Sequence, residues 1–230
     1  MSQKTDFRVS VVIPAYNNGD YLLEAIESVL NQTCPAFEVI VVDSSTDKTS
    51  EIAKKYSPPV RYKFQKKSGI GKARNLGLKI ARGNYFAHLD ADDIWAPDKL
   101  ALQKEAFLRN SSLDIAGGYI EPFFSPELSQ EDRKRIDCSP GPLPGFSASA
   151  IVVKKEAFFR AGWYPENWNV GQDLEWFIQA RERGLKEIMI PQVLVRRRLH
   201  KSNTDFLNRD SGRERLLILK SALDRRRQKS

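Results

Sequence analysis

Three carboxylates, Asp90, Asp92 and Asp93, follow directly on the apolar and aromatic run Tyr85-Phe86-Ala87-His88-Leu89. That run has the composition of a buried strand, and acids at its end stand where an open α/β sheet binds ligands. Carboxylates this close repel one another, and the usual compensation is a hard cation, Mg2+ or Mn2+, bound together with a phosphate. The same letters also fit a polar turn in which an Asp caps a helix opened by Pro97.

Two further stretches carry binding chemistry. Gly69-Ile70-Gly71-Lys72-Ala73-Arg74-Asn75 sets Lys72 and Arg74 at a helix start, where exposed backbone N–H groups favour an anion. It is not a Walker loop, because Ala73 stands where Ser or Thr would bind Mg2+, and it lacks the glycine spacing of a dinucleotide site. Asp43 closes a second apolar run and is placed to hold a ribose or base edge, with turn capping as its alternative role.

These residues need a frame to gather them. Val9 to Ile13 is continuously apolar and reads as a buried parallel strand, followed by the loop Pro14-Ala15-Tyr16-Asn17-Asn18-Gly19. Asp20 can cap the next helix, whose inner stripe is Leu22, Leu23, Ile26, Val29 and Leu30. Phe37 to Val42 is a second strand, Asp47 caps a helix to about Lys55, and Val60 to Phe64 is a weaker third strand. A helix with Ala73, Leu76 and Ile80 inward leads to the aspartate-tipped strand. Strands alternating with helices predict a Rossmann-like, doubly wound half with Asn17, Asp43, Lys72, Arg74 and Asp90 at the strand ends.

Val-Val-Ile-Pro-Ala-Tyr-Asn (11 to 17), Val-Val-Asp-Ser-Ser-Thr-Asp (41 to 47), Gly-Lys-Ala-Arg-Asn-Leu-Gly (71 to 77) and Leu-Asp-Ala-Asp-Asp (89 to 93) together resemble a family 2 glycosyltransferase of the GT-A fold. The resemblance implies one α/β domain, a mixed central sheet flanked by helices, with a C-terminal helix. Residues 8–95 would be the nucleotide-sugar half, 96–205 the acceptor half and 206–230 a basic helix. It implies that Pro14, Ala15, Tyr16, Asn17, Asp43, Lys72, Arg74, Asp90, Ala91 and Asp92 line the donor site. Asp90 would meet the ribose and Asp92 the metal, with Asp93 a second candidate. Ser44 stands where an acid more usually follows Asp43, which bears on the choice between UDP and another nucleotide.

Beyond this half, Asp98 to Leu108 reads as an amphipathic helix and Asp114 to Ile120 as a strand. Glu121 to Gly145, with five of the twelve prolines, reads as an acceptor-side flap or a disordered segment, and Ala150 to Val153 as a strand. Of Trp163 and Trp168, one is expected in the core and one as an apolar face for a sugar or acceptor. Asp173 opens a helix with Leu174, Phe177 and Ile178 inward and can simply cap it. By the resemblance Asp173 is the general base, with Glu175 the nearby alternative. Leu185 to Pro191 and Val193 to Leu199 read as two strands. His200 after them resembles the histidine that reaches the metal or diphosphate in such enzymes; a neutral imidazole beside a carboxylate suits Mn2+ or Mg2+. In the last helix, Leu216, Leu219 and Leu223 form the stripe expected to dock on the protein body or pair in a homodimer.

Composition narrows the classes. The 230 residues, 41% of them hydrophobic, suit one core, and no long apolar run or leader pattern is present. Cys34 and Cys138 make no disulfide framework, so a cytoplasmic, reducing setting is expected. Residues 1–195 carry 25 basic and 25 acidic side chains, whereas residues 196–230 carry 12 and 4. The excess charge is therefore a property of the tail, which favours an anionic surface such as the inner face of a membrane. Nucleic acid is not expected as a partner, because the main domain is neutral and its key cluster acidic. The expected reaction is single-sugar transfer with inversion to a glycolipid or polysaccharide intermediate, a peptide or protein, or a small metabolite. A silent sugar-nucleotide-binding module and a nucleic-acid-binding protein are the alternatives.

Overall fold

The computed structural model describes residues 6–66, 69–136, 138, 141–168, 170–203 and 211–228. Its order is β1 (Val9–Ala15), α1 (Leu22–Leu30), β2 (Glu38–Asp43), α2 (Thr49–Lys55), β3 (Val60–Phe64), α3 (Ile70–Ile80), β4 (Tyr85–His88), β5 (Ile94–Trp95), α4 (Lys99–Arg109) and β6 (Ile115–Phe124). Then come α5 (Gln130–Arg135), β7 (Leu143–Gly145), a 3-10 turn (Ala148–Ala150), β8 (Val152–Lys154), α6 (Lys155–Ala161), α7 (Gln172–Glu182), β9 (Glu187–Leu199) and α8 (Ser211–Arg227).

One mixed sheet runs β3-β2-β1-β4-β8-β6-β9-β5, with β7 on β6. The first four strands are parallel, and β8 turns antiparallel against β4. Every residue of β1 and β2 is buried, as their unbroken apolar runs require of strands covered on both faces. Val9, Val11 and Ile13 face α1 and α4, while Val12, Ile40 and Phe86 face α3, α6 and α7. Because β1 has β2 on one side and β4 on the other, the connections diverge at its carboxyl end. A crevice opens there.

Several local expectations are corrected. Asp20 does not cap α1; it pairs with Lys48 at 2.7 Å. Asp47 does close the start of α2, accepting from the Thr49 N–H at 3.0 Å and also from the Gly19 N–H at 3.1 Å. Pro97 does not open α4, and Asp98 accepts from the Thr33 hydroxyl instead of capping it. β6 runs on to Phe124, and the segment 121–145, expected as a flap or as disordered, carries regular elements. It contains α5, closed by a reciprocal cap between Ser129 and Asp132, and β7. The strand expected from Ala150 begins only at Val152, after the 3-10 turn.

The two expected strands around Pro191 are one, β9. Its pairing with β6 shifts register between Gly118–Ile190 and Tyr119–Val193, so the proline falls where the ladder is already irregular. In α7 the inner side is Trp176, Phe177 and Ala180, not Leu174 and Ile178. In α8 the expected stripe is outward: Leu216, Leu219 and Leu223 are exposed, and Ile218 and Ala222 are buried. The cause is Arg225, one and two turns along the same face, which pairs with Glu175 and Glu182 of α7 and turns that face inward. Among the described residues no helix is long and apolar enough to cross a membrane.

Candidate active site

At the carboxyl ends of β1 and β4 lies a cleft of about 1270 Å³, lined on one side by Pro14 to Asn18, Ser44, Ala73 and Arg74 and floored by Asp90 to Asp93. Gly171 to Leu174 and Ser147 close the other side. The predicted residues Pro14, Ala15, Tyr16, Asn17, Arg74, Asp90, Ala91, Asp92 and Asp173 are thus brought together.

The loop after β1 is held by its own polar groups. Asn17 has φ of 53°, its N–H donates to the Ser45 hydroxyl at 2.7 Å, and its side-chain oxygen accepts from the Thr46 N–H at 3.0 Å. Asn tolerates the left-handed region better than most side chains, which suits it to this turn. Asp43 is fully buried and its two oxygens accept from the Ser45 N–H at 2.8 Å and the Tyr62 hydroxyl at 2.9 Å. Burial and the Asp43 carboxylate push Tyr62 up to about 12, so it stays a donor. Asp43 therefore shapes the loop and does not line the cleft; Ser44 lines it. Lys72 is also absent from the lining, where Gly69, Ile70 and Ala73 appear. α3 leans so closely on the turn before α7 that a Cβ on Gly71 would lie 2.4 Å from the Pro165 carbonyl oxygen.

Each carboxylate of the cluster has a separate partner, and none caps a helix. Arg74, 2% exposed, donates to Asp90 at 2.8 Å. Burial raises Asp90; Arg74 opposes this and Asp92 adds to it, leaving the carboxyl above its usual range. Asp92 meets His200, Nε2 to Oδ2 at 2.9 Å, and the Asn203 amide at 3.4 Å. Asp93 accepts from the Arg198 N–H at 3.0 Å; burial first, then Asp92 and Asp90, lift it well above the usual range. Both line the cleft floor, but Asp93 is tied to the β9 backbone whereas Asp92 meets the His200 side chain.

Three residues that sequence reasoning passed over complete the frame. Arg198 donates to the Asp92 carbonyl at 3.0 Å and to Glu24 at 2.8 Å. Asn203 accepts from the His200 N–H at 2.6 Å, and Ser202 contacts His200 Nδ1 at 2.8 Å. Strand alternation in Arg196-Arg197-Arg198 was the available signal, since an inward arginine beside an acidic cluster needs that cluster as partner.

Asp173 sits in the first turn of α7, where Oδ1 accepts from the Leu174 N–H at 3.0 Å and Oδ2 from the Ala148 N–H at 3.4 Å. Glu175 points elsewhere, to Arg225 of α8 at 3.0 Å, and is 6% exposed; it is not available as a base in the cleft. Neither Trp163 nor Trp168 lines the cleft. Trp163 is exposed against Phe158 and Phe159, and the aromatic residues buried in that region include Phe158, Tyr164 and Trp176. Its apolar walls are aliphatic instead, including Ile120, Pro122 and Leu143.

Among the described residues no three His, Cys, Asp or Glu side chains enclose an ion by themselves. The donor set that would fit a hard or borderline cation is Asp92 with His200.

The family model described as Glycosyl transferase family 2 matches residues 10–164. This chain belongs to glycosyl transferase family 2. The chain is 34% identical over 229 residues to an uncharacterized glycosyltransferase of Rickettsia bellii, covering 94% of this chain and 32% of that protein. It is 37% identical over 138 residues to a chondroitin synthase of Escherichia coli, covering 52% of this chain and 20% of that one. The chain thus spans a third or less of the length of these two relatives. Its fold matches S. aureus TarS 1-349 in complex with UDP-GlcNAc, with a TM-score of 0.70, 21% identity, 92% of this chain and 65% of that chain covered.

Proposed function

We propose that this glycosyltransferase moves one sugar from a nucleotide diphosphate sugar to an acceptor hydroxyl, with inversion at the anomeric carbon. The observation that carries the reading is the placement of Asp173 in the same cleft as Arg74, Asp90 and Asp92. The Asp173 carboxylate takes the proton of the acceptor hydroxyl as its oxygen forms the new bond to the anomeric carbon. The bond from that carbon to the diphosphate oxygen breaks, and the electron pair leaves with the diphosphate. Arg197, on the cleft wall, adds positive charge where the leaving group gathers negative charge. Asp92 and His200 would hold Mn2+ or Mg2+, which supplies Lewis-acid stabilisation of the diphosphate when bound. Arg74, paired with Asp90 at 2.8 Å, would fix that carboxyl at the ribose side.

UDP is the nucleotide the reading favours, because the structural neighbour TarS has been crystallised with UDP and with UDP-GlcNAc. An acceptor hydroxyl on a polysaccharide or glycolipid intermediate is favoured by the likeness to a chondroitin synthase.

Calorimetry with UDP, GDP and their sugars, with and without Mn2+, tests this. Metal-dependent binding of one nucleotide sugar, lost in Asp92→Ala and kept in Asp173→Asn, is expected. Asp173→Asn should lower kcat about 10²- to 10⁴-fold. Binding to none of the nucleotides would overturn the reading.

A further inference from the structure

Among the described residues, the leucines on the outward face of α8 stay exposed. Leu216, Leu219 and Leu223 are 68%, 46% and 54% exposed, while Ile218 and Ala222 on the opposite side are buried. The three leucines recur at i, i+3 and i+7, so they form one continuous stripe. Arg213, Lys220 and Arg227, all exposed, flank it on one side, and Arg215 and Arg226 on the other. The helix is held in this orientation from beneath: Glu214 accepts from the Val170 N–H at 2.9 Å, and Arg225 pairs with Glu175 and Glu182. A Cβ on Gly171 would lie 2.7 Å from the Ile218 side chain, so the helix lies close against the turn that opens α7.

We infer that this face docks on an anionic lipid bilayer, with the leucine stripe entering the acyl boundary and the flanking cations on the headgroups. Leucines bordered on both sides by long cationic side chains match the layering of an interface, apolar below and negatively charged above. A second copy of the chain is the poorer fit, because stacking two such faces sets Arg213, Lys220 and Arg227 against their like, with Asp224 as the one acid at the edge. Arg215 lines the cleft that holds Asp173. The docked surface would therefore run beside the side of the cleft where the base stands. The docking itself stands apart from the transfer reading; that an acceptor is presented from this surface rests on it.

The test is flotation of the full chain with vesicles of phosphatidylcholine alone and of phosphatidylcholine with phosphatidylglycerol, at low and high salt, beside light scattering without lipid. Retention on the anionic vesicles only, weakened by salt, is expected. The triple change Arg213→Gln, Lys220→Gln, Arg227→Gln should lower partition by roughly a hundredfold. Leu216→Ser, Leu219→Ser, Leu223→Ser should lower it by at least about tenfold. Both sets are on the surface and leave Ile218, Ala222 and Arg225 in place, so nucleotide-sugar binding measured on the same samples should be unchanged. No retention on anionic vesicles, equal retention on neutral ones, equal retention of the leucine variant, or a lipid-free dimer that the leucine variant dissolves would each overturn the inference. Failure of the transfer reading would show instead as lost nucleotide binding with vesicle retention intact.

Discussion

His200 and Asp92 meet at 2.9 Å although 108 residues separate them. The contact joins the end of β9 to the loop after β4, and it places an imidazole on Asp92, one of the acids that floor the cleft. His200 is 2% exposed, and the Tyr21 ring lies against it with centroids 4.6 Å apart, so it is held before any substrate arrives.

If this pair holds the cation, His200→Ala should weaken Mn2+-dependent binding of the nucleotide sugar by about 10- to 100-fold. Binding measured in excess chelator should be the same in the variant and the parent. Equal Mn2+ affinity in both proteins would count against the assignment.

Arg74 is 2% exposed and carries the charge that offsets Asp90. Arg74→Met leaves Asp90 next to Asp92 without compensation, and should lower stability at neutral pH by roughly 3 kcal/mol. Urea unfolding measures this directly. A loss much below about 1 kcal/mol would show that water alone serves Asp90 well enough.

Glu38, at the start of β2, accepts from the Ser10 hydroxyl at 2.8 Å, the Arg82 N–H at 2.6 Å and Arg61 at 2.5 Å. Burial pushes its carboxyl up, but these donors outweigh it and leave it below the usual range. A lowered folded pKa means that the stability is present above the unfolded value, about 4.3, and is lost as pH falls through the folded one. Glu38→Gln should cost about 2 kcal/mol at pH 7 and flatten the acid limb of a stability–pH curve. An unchanged acid limb would place the acid sensitivity elsewhere.

Lys99 is wholly buried, donates to Gln103 at 2.8 Å and sits 4.0 Å from the Trp95 ring centroid. Burial lowers its pKa well below the ordinary lysine value. Between that lowered value and about 10.4, the unfolded chain binds the proton and the folded one does not, so stability rises with pH across this window. Lys99→Met should remove that rise while leaving the fold intact, as chemical unfolding at successive alkaline pH values would show.

Much of the donor half was legible in sequence because its signals are local. Short, β-branched apolar runs closed by turn residues read as strands covered on both faces, which β1 and β2 are, and the polar residues after them fall at one edge of the sheet. Asp90, Asp92, Arg74 and Asp173 were expected in this way and through the family resemblance, and all four line the cleft. Spacing could not divide the work among neighbours. Asp92 and Asp93 are adjacent in the chain, yet one faces His200 and the other the Arg198 N–H. Asp43 and Glu175 were plausible in sequence and are committed elsewhere, to the Ser45–Tyr62 loop contacts and to Arg225.

The sequence by itself determined the alternating elements of the first half, their parallel sheet and the family resemblance, because hydrophobic period and turn chemistry act over a few residues. Only the tertiary structure decided which oxygen meets which partner and which side of α8 turns outward. Periodicity names the residues that share a helix face but not the face that docks. In α8 that choice fell to Arg225, drawn inward by Glu175 and Glu182 of α7, because acids buried there need a cation and the leucines can remain at the surface.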